Sequence, residues 1–271
     1  TVEFYNTPII GKFLETRDNE VKNENQEDKK CEDVQLLLKD LAYGYDKVLL
    51  KDINLSIKKG NKTLIVGTSG CGKSTLFYVL MRLLYPLKGN IFIQGKNYDD
   101  LAEKSIREHF AVAFQEHHIF NLSIRDNFKM LYEDITDEEI YKSLENVYLL
   151  DFVNQVGLDY IVGNDGNKLS GGQKHRLQLA ICLAKQKDII LLDEPTAGLD
   201  IKTTNNICSQ LMEKYQKQTM IVTSHDISLL RFFDDIIICG EEKIIEQGNI
   251  KKLLLREDSY LNKLIRYKNF I

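Results

Sequence analysis

The chain has 271 residues, 43% hydrophobic and 28% charged, with a formal net charge of −4. That length suits one large domain or two lobes with a sizeable core. The mild acidity gives no support to a nucleic-acid partner, which calls for a basic excess. No apolar run reaches the length of a membrane-spanning helix and no signal peptide is legible, so the chain reads as soluble, or as the soluble piece of something larger. A first residue of Thr1 rather than Met fits an excised piece.

In chain order, Phe4, Ile9, Ile10, Phe13 and Leu14 form a short apolar patch that reads as the tail of a helix. Residues 15–33 are almost all polar or charged and read as a linker, so 1–33 is expected to be an extension. From Val34 the pattern changes to short apolar runs separated by turns and helices. Residues 63–66 run into Gly67, 111–114 into Gln115, 189–192 into Asp193 and Glu194, and 220–224 into His225. Runs that are apolar on both faces and separated by helical material are expected of buried parallel strands. In one sheet their carboxyl ends share an edge, the edge at which open α/β sheets bind ligands. Lys73, Gln115, Asp193, Glu194 and His225 are therefore expected to converge.

An apolar helix is expected over 76–84. Thr136 to Glu139 and Ser170 to Gln173 both have the capping-box form. Leu177, Ile181 and Ala184 then repeat at helical spacing, so 119–186 reads as an inserted helical lobe. The tail, 251–271, reads as helical with Leu253, Leu254, Leu261, Leu264 and Ile265 on its apolar face. Cysteines at 31, 71, 182, 208 and 239 are odd in number and contain no C-x-x-C pair. They suggest neither a disulfide frame nor a zinc site, and point to a reducing compartment. His109, His117 and His118 show no metal-ligand spacing, and Lys174, His175 and Arg176 read as a solvated helix face.

Two glycine-rich helix starts carry the chemistry. Gly67-Thr68-Ser69-Gly70-Cys71-Gly72-Lys73-Ser74-Thr75 matches G-x-x-x-x-G-K-S, whose backbone N–H groups wrap phosphate oxygens while the Lys reaches the β and γ phosphates and the Ser holds Mg²⁺. Cys71 reads as a small residue that fits the tight loop. Leu169-Ser170-Gly171-Gly172-Gln173 offers a helix N-terminus and bare glycines but no lysine. Only the first start can bind a full nucleotide alone. An acid such as Asp193 at a strand end can hold Mg²⁺ through water, and a second, Glu194, can activate an attacking water.

The loop, LSGGQ and the acidic strand, in this order and spacing, resemble the nucleotide-binding domain of ATP-binding cassette (ABC) transporters over about 34–250. The resemblance implies an α/β fold. Its parts are a P-loop core with a mostly parallel sheet, an N-terminal antiparallel β portion, the inserted helical lobe and C-terminal helices, together spanning 34–271. It places 67–75 as Walker A, 189–193 as Walker B, Glu194 as the catalytic carboxylate and Gln115 in the Q-loop. It places Asp200 in the D-loop and His225 as the switch histidine. Tyr45 stands where an aromatic stacks on adenine, with Tyr43 the alternative. Ser74, Gln115 and Asp193 would position Mg²⁺, and Ser170, Gly171, Gly172 and Gln173 would cover ATP held by a second copy or a paired domain.

Residues 122–128 resemble an exporter run, and 159–166 keep Asp159, Val162, Gly163 and Gly166 of an exporter stretch while placing Asn164 and Asp165 where Glu and Arg stand in the family. The stretch 194–200 is worded more as in importers, and Phe114 replaces the usual Pro. The expectation is the ATPase of an exporter, on the cytosolic face of a membrane and joined to a transmembrane domain. The alternatives are a soluble non-transport ABC ATPase and a non-hydrolysing nucleotide switch.

Overall fold

The computed structural model describes residues 33–115 and 119–268. The N-terminal apolar patch, nearly all of the linker, Cys31, His117, His118 and the last three residues lie outside that range. Two sheets organise the rest. Strands β1 (Val34–Gly44), β2 (Val48–Lys58), β4 (Lys88–Ile93) and β5 (Lys96–Asn97) form an antiparallel sheet in the order β2-β1-β4-β5. The larger sheet contains β3 (Lys62–Gly67), β6 (Phe110–Ala113), β7 (Ile189–Asp193), β8 (Thr219–Ser224), β9 (Asp235–Cys239) and β10 (Ile244–Asn249) in the order β10-β9-β3-β8-β7-β6. All its pairings are parallel except β10 on β9.

The four apolar runs share this sheet, and their ends are in register. Val66 pairs with Ser224, Asp193 with Thr223, and Ala113 with Leu192. A fifth parallel strand, β9, brings Cys239 beside Gly67. Strands β7 and β8 are buried at every position, as a sheet covered on both faces requires. Side chains alternate between the two covers, following the two-residue period of a strand. Leu64, Val66, Ile190, Leu192 and Val222 join the core shared with the later helices. Ile65, Ile189, Leu191 and Ile221 join the core under the antiparallel sheet.

Helix α1 (Lys73–Leu80) follows β3, and α2 (Glu103–Glu108) precedes β6. Between β6 and β7 lie α3 (Ile124–Leu131), α4 (Asp137–Glu145), α5 (Leu150–Val156) and α6 (Gly171–Leu183), all within the segment expected to be helical. Ser123 caps α3, and full capping boxes start α4 at Thr136 and α6 at Ser170. Helix α7 (Ile201–Lys214) follows β7, and α8 (Ile250–Leu254) and α9 (Tyr260–Lys268) end the described chain.

One boundary differs from the sequence expectation. Helix α1 stops at Leu80 rather than Leu84, because Arg82 takes a left-handed backbone (φ 54°) that no helix continues. Its guanidinium stacks 4.3 Å from the Tyr85 ring centroid. The tail is helical as expected, in two helices, with Leu253, Leu261 and Ile265 buried. At the sheet's opposite edge Lys62 is buried, and its Nζ donates to the carbonyls of Gly60, Tyr215, Gln216 and Gln218. Burial pushes this ammonium down to about 8, while its carbonyl partners satisfy the donors that burial would otherwise orphan.

Candidate functional site

Strand β3 delivers the chain to a loop that only particular residues can form. Gly70 and Gly72 have φ of 79° and 100°, where an L side chain is strained. Gly67 is tight for a different reason, since a Cβ there would sit 2.7 Å from the Cys239 carbonyl oxygen. The buried Tyr43 hydroxyl donates to the Gly72 carbonyl at 3.0 Å and anchors the loop from beneath. Thr68, Ser69 and Gly70 are exposed, Ser74 is half-buried, and Cys71, Gly72, Lys73 and Thr75 are buried. Lys73 Nζ donates to the loop's own carbonyls, Gly67 at 2.9 Å and Thr68 at 3.2 Å. Helix α1 starts from Gly72 with no side-chain cap, so its first amides depend on something other than a side chain. A curl of backbone ending in an uncapped helix start and a lysine is an anion cradle.

Two strands away, β7 ends on Asp193, 4% exposed, followed by Glu194, 9% exposed. Glu194 has φ of 50°, uncommon for a residue other than glycine. Thr223 holds it there, because the Glu194 N–H reaches both the Thr223 carbonyl (3.2 Å) and the Thr223 hydroxyl (3.0 Å). That hydroxyl in turn donates to Asp193 Oδ1. The left-handed turn swings the Glu194 carboxylate toward β8, where the His225 N–H donates to Oε2 at 3.3 Å. His225 Nε2 lies 3.2 Å from Oε1, yet no hydrogen bond of acceptable geometry reaches that oxygen. A buried carboxylate oxygen without a donor is costly. Strand register therefore brings the ends of β3, β7 and β8 to one edge, carrying the lysine loop, two acids and His225.

The second helix start lies apart. A cleft of about 490 Å³ is lined by Gly171, Gly172 and Gln178 of α6, by Gln115, and by 197–199 before α7. No residue of 67–75 lines it, nor does Asp193, Glu194 or His225. The exposed Gln115 thus stands just past β6 and borders this second cleft. Ser170 Oγ accepts from the Gln173 N–H at 3.2 Å, and Gln173 Oε1 accepts from the Ser170 N–H at 2.8 Å. Asp200 caps α7 through Thr203.

The solvated face expected at 174–176 is not found. All three residues are half-buried. His175 Nε2 meets the Pro195 carbonyl, and Arg176 Nε donates back to the Gly172 carbonyl at 3.2 Å. Lys174 pairs with Asp165 at 2.6 Å, so one departure from the exporter pattern ties that loop to α6. Asp159 pairs with Arg125, which also grips Asp137. His109 packs against Asp188 at 2.9 Å. Tyr43 is fully buried, whereas Tyr45 is 59% exposed and free to meet a planar ligand.

Sequence reasoning passed over Thr223, which positions both acids. Its only signal was a polar residue inside its strand, after an apolar run. Among the described residues no cluster of three or more His, Cys, Asp or Glu side chains could hold a metal unaided. Mg²⁺ suits such a site, since it is usually held by one or two carboxylates together with substrate phosphates.

Comparison with known proteins identifies the family. Residues 50–197 match the family model of the ABC transporter. The chain is 34% identical over 206 residues, 75% of its length, to a β-(1→2)glucan export ATP-binding/permease protein of Agrobacterium vitis, covering 35% of that protein. It is 34% identical over 230 residues to a glutathione/L-cysteine transport system ATP-binding/permease protein of Escherichia coli, covering 84% of this chain and 40% of that one. An ATP-dependent lipid A-core flippase of Haemophilus influenzae is 32% identical over 232 residues, 83% of this chain and 40% of its own. Among solved structures, a bacterial Atm1-family ABC exporter with ATP bound superposes with a TM-score of 0.80 at 27% identity, covering 95% of this chain and 46% of that one. The chain thus spans less than half the length of each of these proteins. With the lysine loop, the acidic edge and the separate LSGGQ cleft in place, the chain belongs to the ABC transporter family.

Proposed function

We propose that the chain hydrolyses ATP as one half of a head-to-tail pair, and that the cycle drives a transmembrane partner in export. The observation that carries this reading is the separation of the two helix starts. The lysine loop has its own edge, while Gly171 and Gly172 open on a cleft that no residue of that loop lines. A single chain therefore does not close its own site, and a two-fold pair would supply each loop with the other's Ser170, Gly171, Gly172 and Gln173.

Within one copy, Lys73 leaves the Gly67 and Thr68 carbonyls for the β and γ phosphates, and the amides of 67–75 hold the phosphate oxygens. Tyr45, exposed beside the turn after β1, stacks on adenine. Ser74 and, through water, Asp193 are the residues that would hold Mg²⁺, joined by Gln115 once it moves from the second cleft that it borders here. When bound, Mg²⁺ supplies charge neutralisation on the β and γ phosphates. Glu194 Oε1 takes the hydrogen bond of the attacking water, and His225, already against that carboxylate, contacts the γ-phosphate. The partner's glycine amides add donors where negative charge spreads during phosphoryl transfer. Asp200, before α7, borders the same junction.

Among the described residues no helix is long and apolar enough to cross a membrane. The relatives named as ATP-binding/permease proteins support a membrane-spanning partner. So do exposed apolar side chains around the start and end of α3, namely Phe120, Met130, Leu131 and Ile161. Residues 1–33 would be the connection to that partner, and this domain would lie at the cytosolic face. The test is Glu194→Gln, which keeps a hydrogen-bonding side chain but removes the basic carboxylate. With ATP and Mg²⁺ it is expected to sediment as a dimer and to lose turnover. A variant that remains monomeric when saturated with ATP, or that hydrolyses at the wild-type rate, overturns the pairing or the role of Glu194 respectively.

A further inference from the structure

The phosphate loop contains a second chemical feature that ATP hydrolysis does not use. Register places Cys239, the last residue of β9, directly beside Gly67. From the other side, Cys71 folds over the same glycine. A Cβ built on Gly67 would lie 2.8 Å from Cys71 Sγ and 3.0 Å from Cys239 Cβ. The missing side chain of Gly67 thus leaves the space into which both cysteines reach, and Cys71 Sγ and Cys239 Cβ flank the same point. Both are free and buried, but Cys71 lies under Thr68, Ser69 and Gly70, which are exposed.

We propose that Cys71 and Cys239 form a redox-sensitive pair, closed to an intramolecular disulfide by a peroxide, and that this bond disables the phosphate loop until a dithiol reopens it. The second half rests on the reading that 67–75 holds the phosphates of ATP.

The environment assigns the two sulfurs different parts. The neighbouring Cys239 thiol, and then the charge of Lys73, hold the Cys71 thiol below its ordinary range. The same contact, with burial, raises Cys239. Cys71 is therefore the thiolate that reacts first, since the thiolate is the nucleophile. It attacks one peroxide oxygen, the O–O bond breaks, and hydroxide leaves a sulfenic acid on Cys71. The Cys239 sulfur then attacks the Cys71 sulfur. The S–O bond breaks, the S–S bond forms, and the departing oxygen takes the Cys239 proton. The two electrons lost by the sulfurs reduce the peroxide to two waters. Cys182 and Cys208 do not compete, because burial pushes each up to about 12.

Closing the bond draws the two sulfurs together to about 2.05 Å. Cys71 stands between two glycines in the left-handed region, Gly70 and Gly72. Its own N–H makes the loop's turn to the Thr68 carbonyl at 3.3 Å. Drawing it toward β9 therefore misaims the amides of Gly72 and Lys73.

The experiment treats the reduced protein with hydrogen peroxide. It then maps peptides by mass spectrometry without reduction and titrates a fluorescent ATP analogue. The expected result is a linked peptide joining Cys71 to Cys239 and an affinity loss of roughly tenfold or more, equal to about one charge-assisted amide–phosphate hydrogen bond. Dithiothreitol restores the affinity. Cys239→Ser, with Cys239→Ala as a second variant, keeps the reduced affinity and resists peroxide. The proposal fails if reduced protein binds the analogue but peroxide gives no linked peptide. It also fails if the linked form binds equally well, or if the Cys239 variants lose affinity as wild type does. Failure of the nucleotide reading looks different: the reduced protein would bind no better than Lys73→Ala, and the peptide map would still report whether the pair closes.

Discussion

Replacing Thr223 by Val removes one hydroxyl and keeps the side-chain volume. In the folded chain Thr223 is fully buried, so no water takes the place of the lost oxygen. The hydroxyl does two jobs: it donates to Asp193 Oδ1 and accepts from the Glu194 N–H. The second is partly covered by the Thr223 carbonyl, which lies 3.2 Å from the same N–H. The first has no such cover, and Asp193 is only 4% exposed. The cost is that of a hydrogen bond to a buried charge, about 2 kcal/mol within the usual range of 1.5–3. At about 2–4 °C per kcal/mol for a domain of this size, the melting temperature falls by about 4–8 °C.

Thr223→Val also bears on hydrolysis, because an Asp193 carboxylate that is no longer aimed holds Mg²⁺ less well. If all of that energy reaches the transition state, turnover falls by about 30-fold, which sets the upper bound. The assay is ATP hydrolysis at fixed ATP over a Mg²⁺ titration, alongside thermal melting. Thr223→Val is expected to shift the Mg²⁺ midpoint upward and to lower kcat. Thr223→Ser, which keeps the hydroxyl, is expected to recover the Mg²⁺ midpoint. A Thr223→Val protein with wild-type Mg²⁺ dependence would refute the positioning role, whatever its melting temperature.

The two tyrosines near the loop separate by the same logic. Tyr45→Ala removes an exposed ring, so stability should change by no more than about 0.5 kcal/mol, while ATP affinity falls by roughly 5- to 100-fold for a lost base-stacking contact. Tyr43→Phe, which deletes the bond to the Gly72 carbonyl, should lower stability by about 1 kcal/mol; paired melting curves and nucleotide titrations distinguish the two. His175 gives a pH dependence. Burial lowers its pKa below the unfolded value, so below about 6.5 the unfolded chain binds more protons than the folded one. Stability attached to His175 is fully present above that pH and is lost as pH falls through the folded pKa. His175→Gln keeps an N–H for the Pro195 carbonyl and cannot titrate. Its melting temperature relative to wild type should therefore rise between pH 7.5 and 5.5, and an unchanged difference would contradict this account.

The parts of the site that lie on strand ends were legible in sequence, because a short apolar run ending in a polar residue declares both the strand and its functional edge. Asp193, Glu194 and His225 were found in this way. The supporting residues were not, for identifiable reasons. Thr223 lies within its strand, where a β-branched residue reads as ordinary β propensity. Cys239 closes β9 with a residue that reads as small and apolar, and its pairing with Gly67 exists only through strand order. His175 lies between Lys174 and Arg176, so local charge suggested solvent, and only the fold brings the Pro195 carbonyl to it. The antiparallel strands β1 and β2 carry mixed burial patterns, and that sheet was expected from the family resemblance rather than from periodicity. Motif residues are visible because each carries its chemistry locally. The residues that aim them depend on contacts made across the sheet.

The two glycine-rich helix starts differ in a way that accounts for a division of labour. Helix α6 begins with a complete capping box, so Ser170 and Gln173 already satisfy each other's N–H groups. It is stable without an anion, and what remains for a ligand is chiefly the first-turn glycine amides. Helix α1 begins at Gly72, in the left-handed region and without a side-chain cap, forgoing about 0.3 kcal/mol relative to a Ser, Thr, Asn or Asp cap. Its lysine rests on carbonyls that a phosphate can replace. A bound phosphate would therefore supply α1 with the cap it lacks, while it would add to α6 only a secondary contact. On the proposed reading, this asymmetry sets the order of events. The nucleotide settles first on the lysine loop of one copy, and only then does the charge it carries give the already capped helix of the neighbour something to bind.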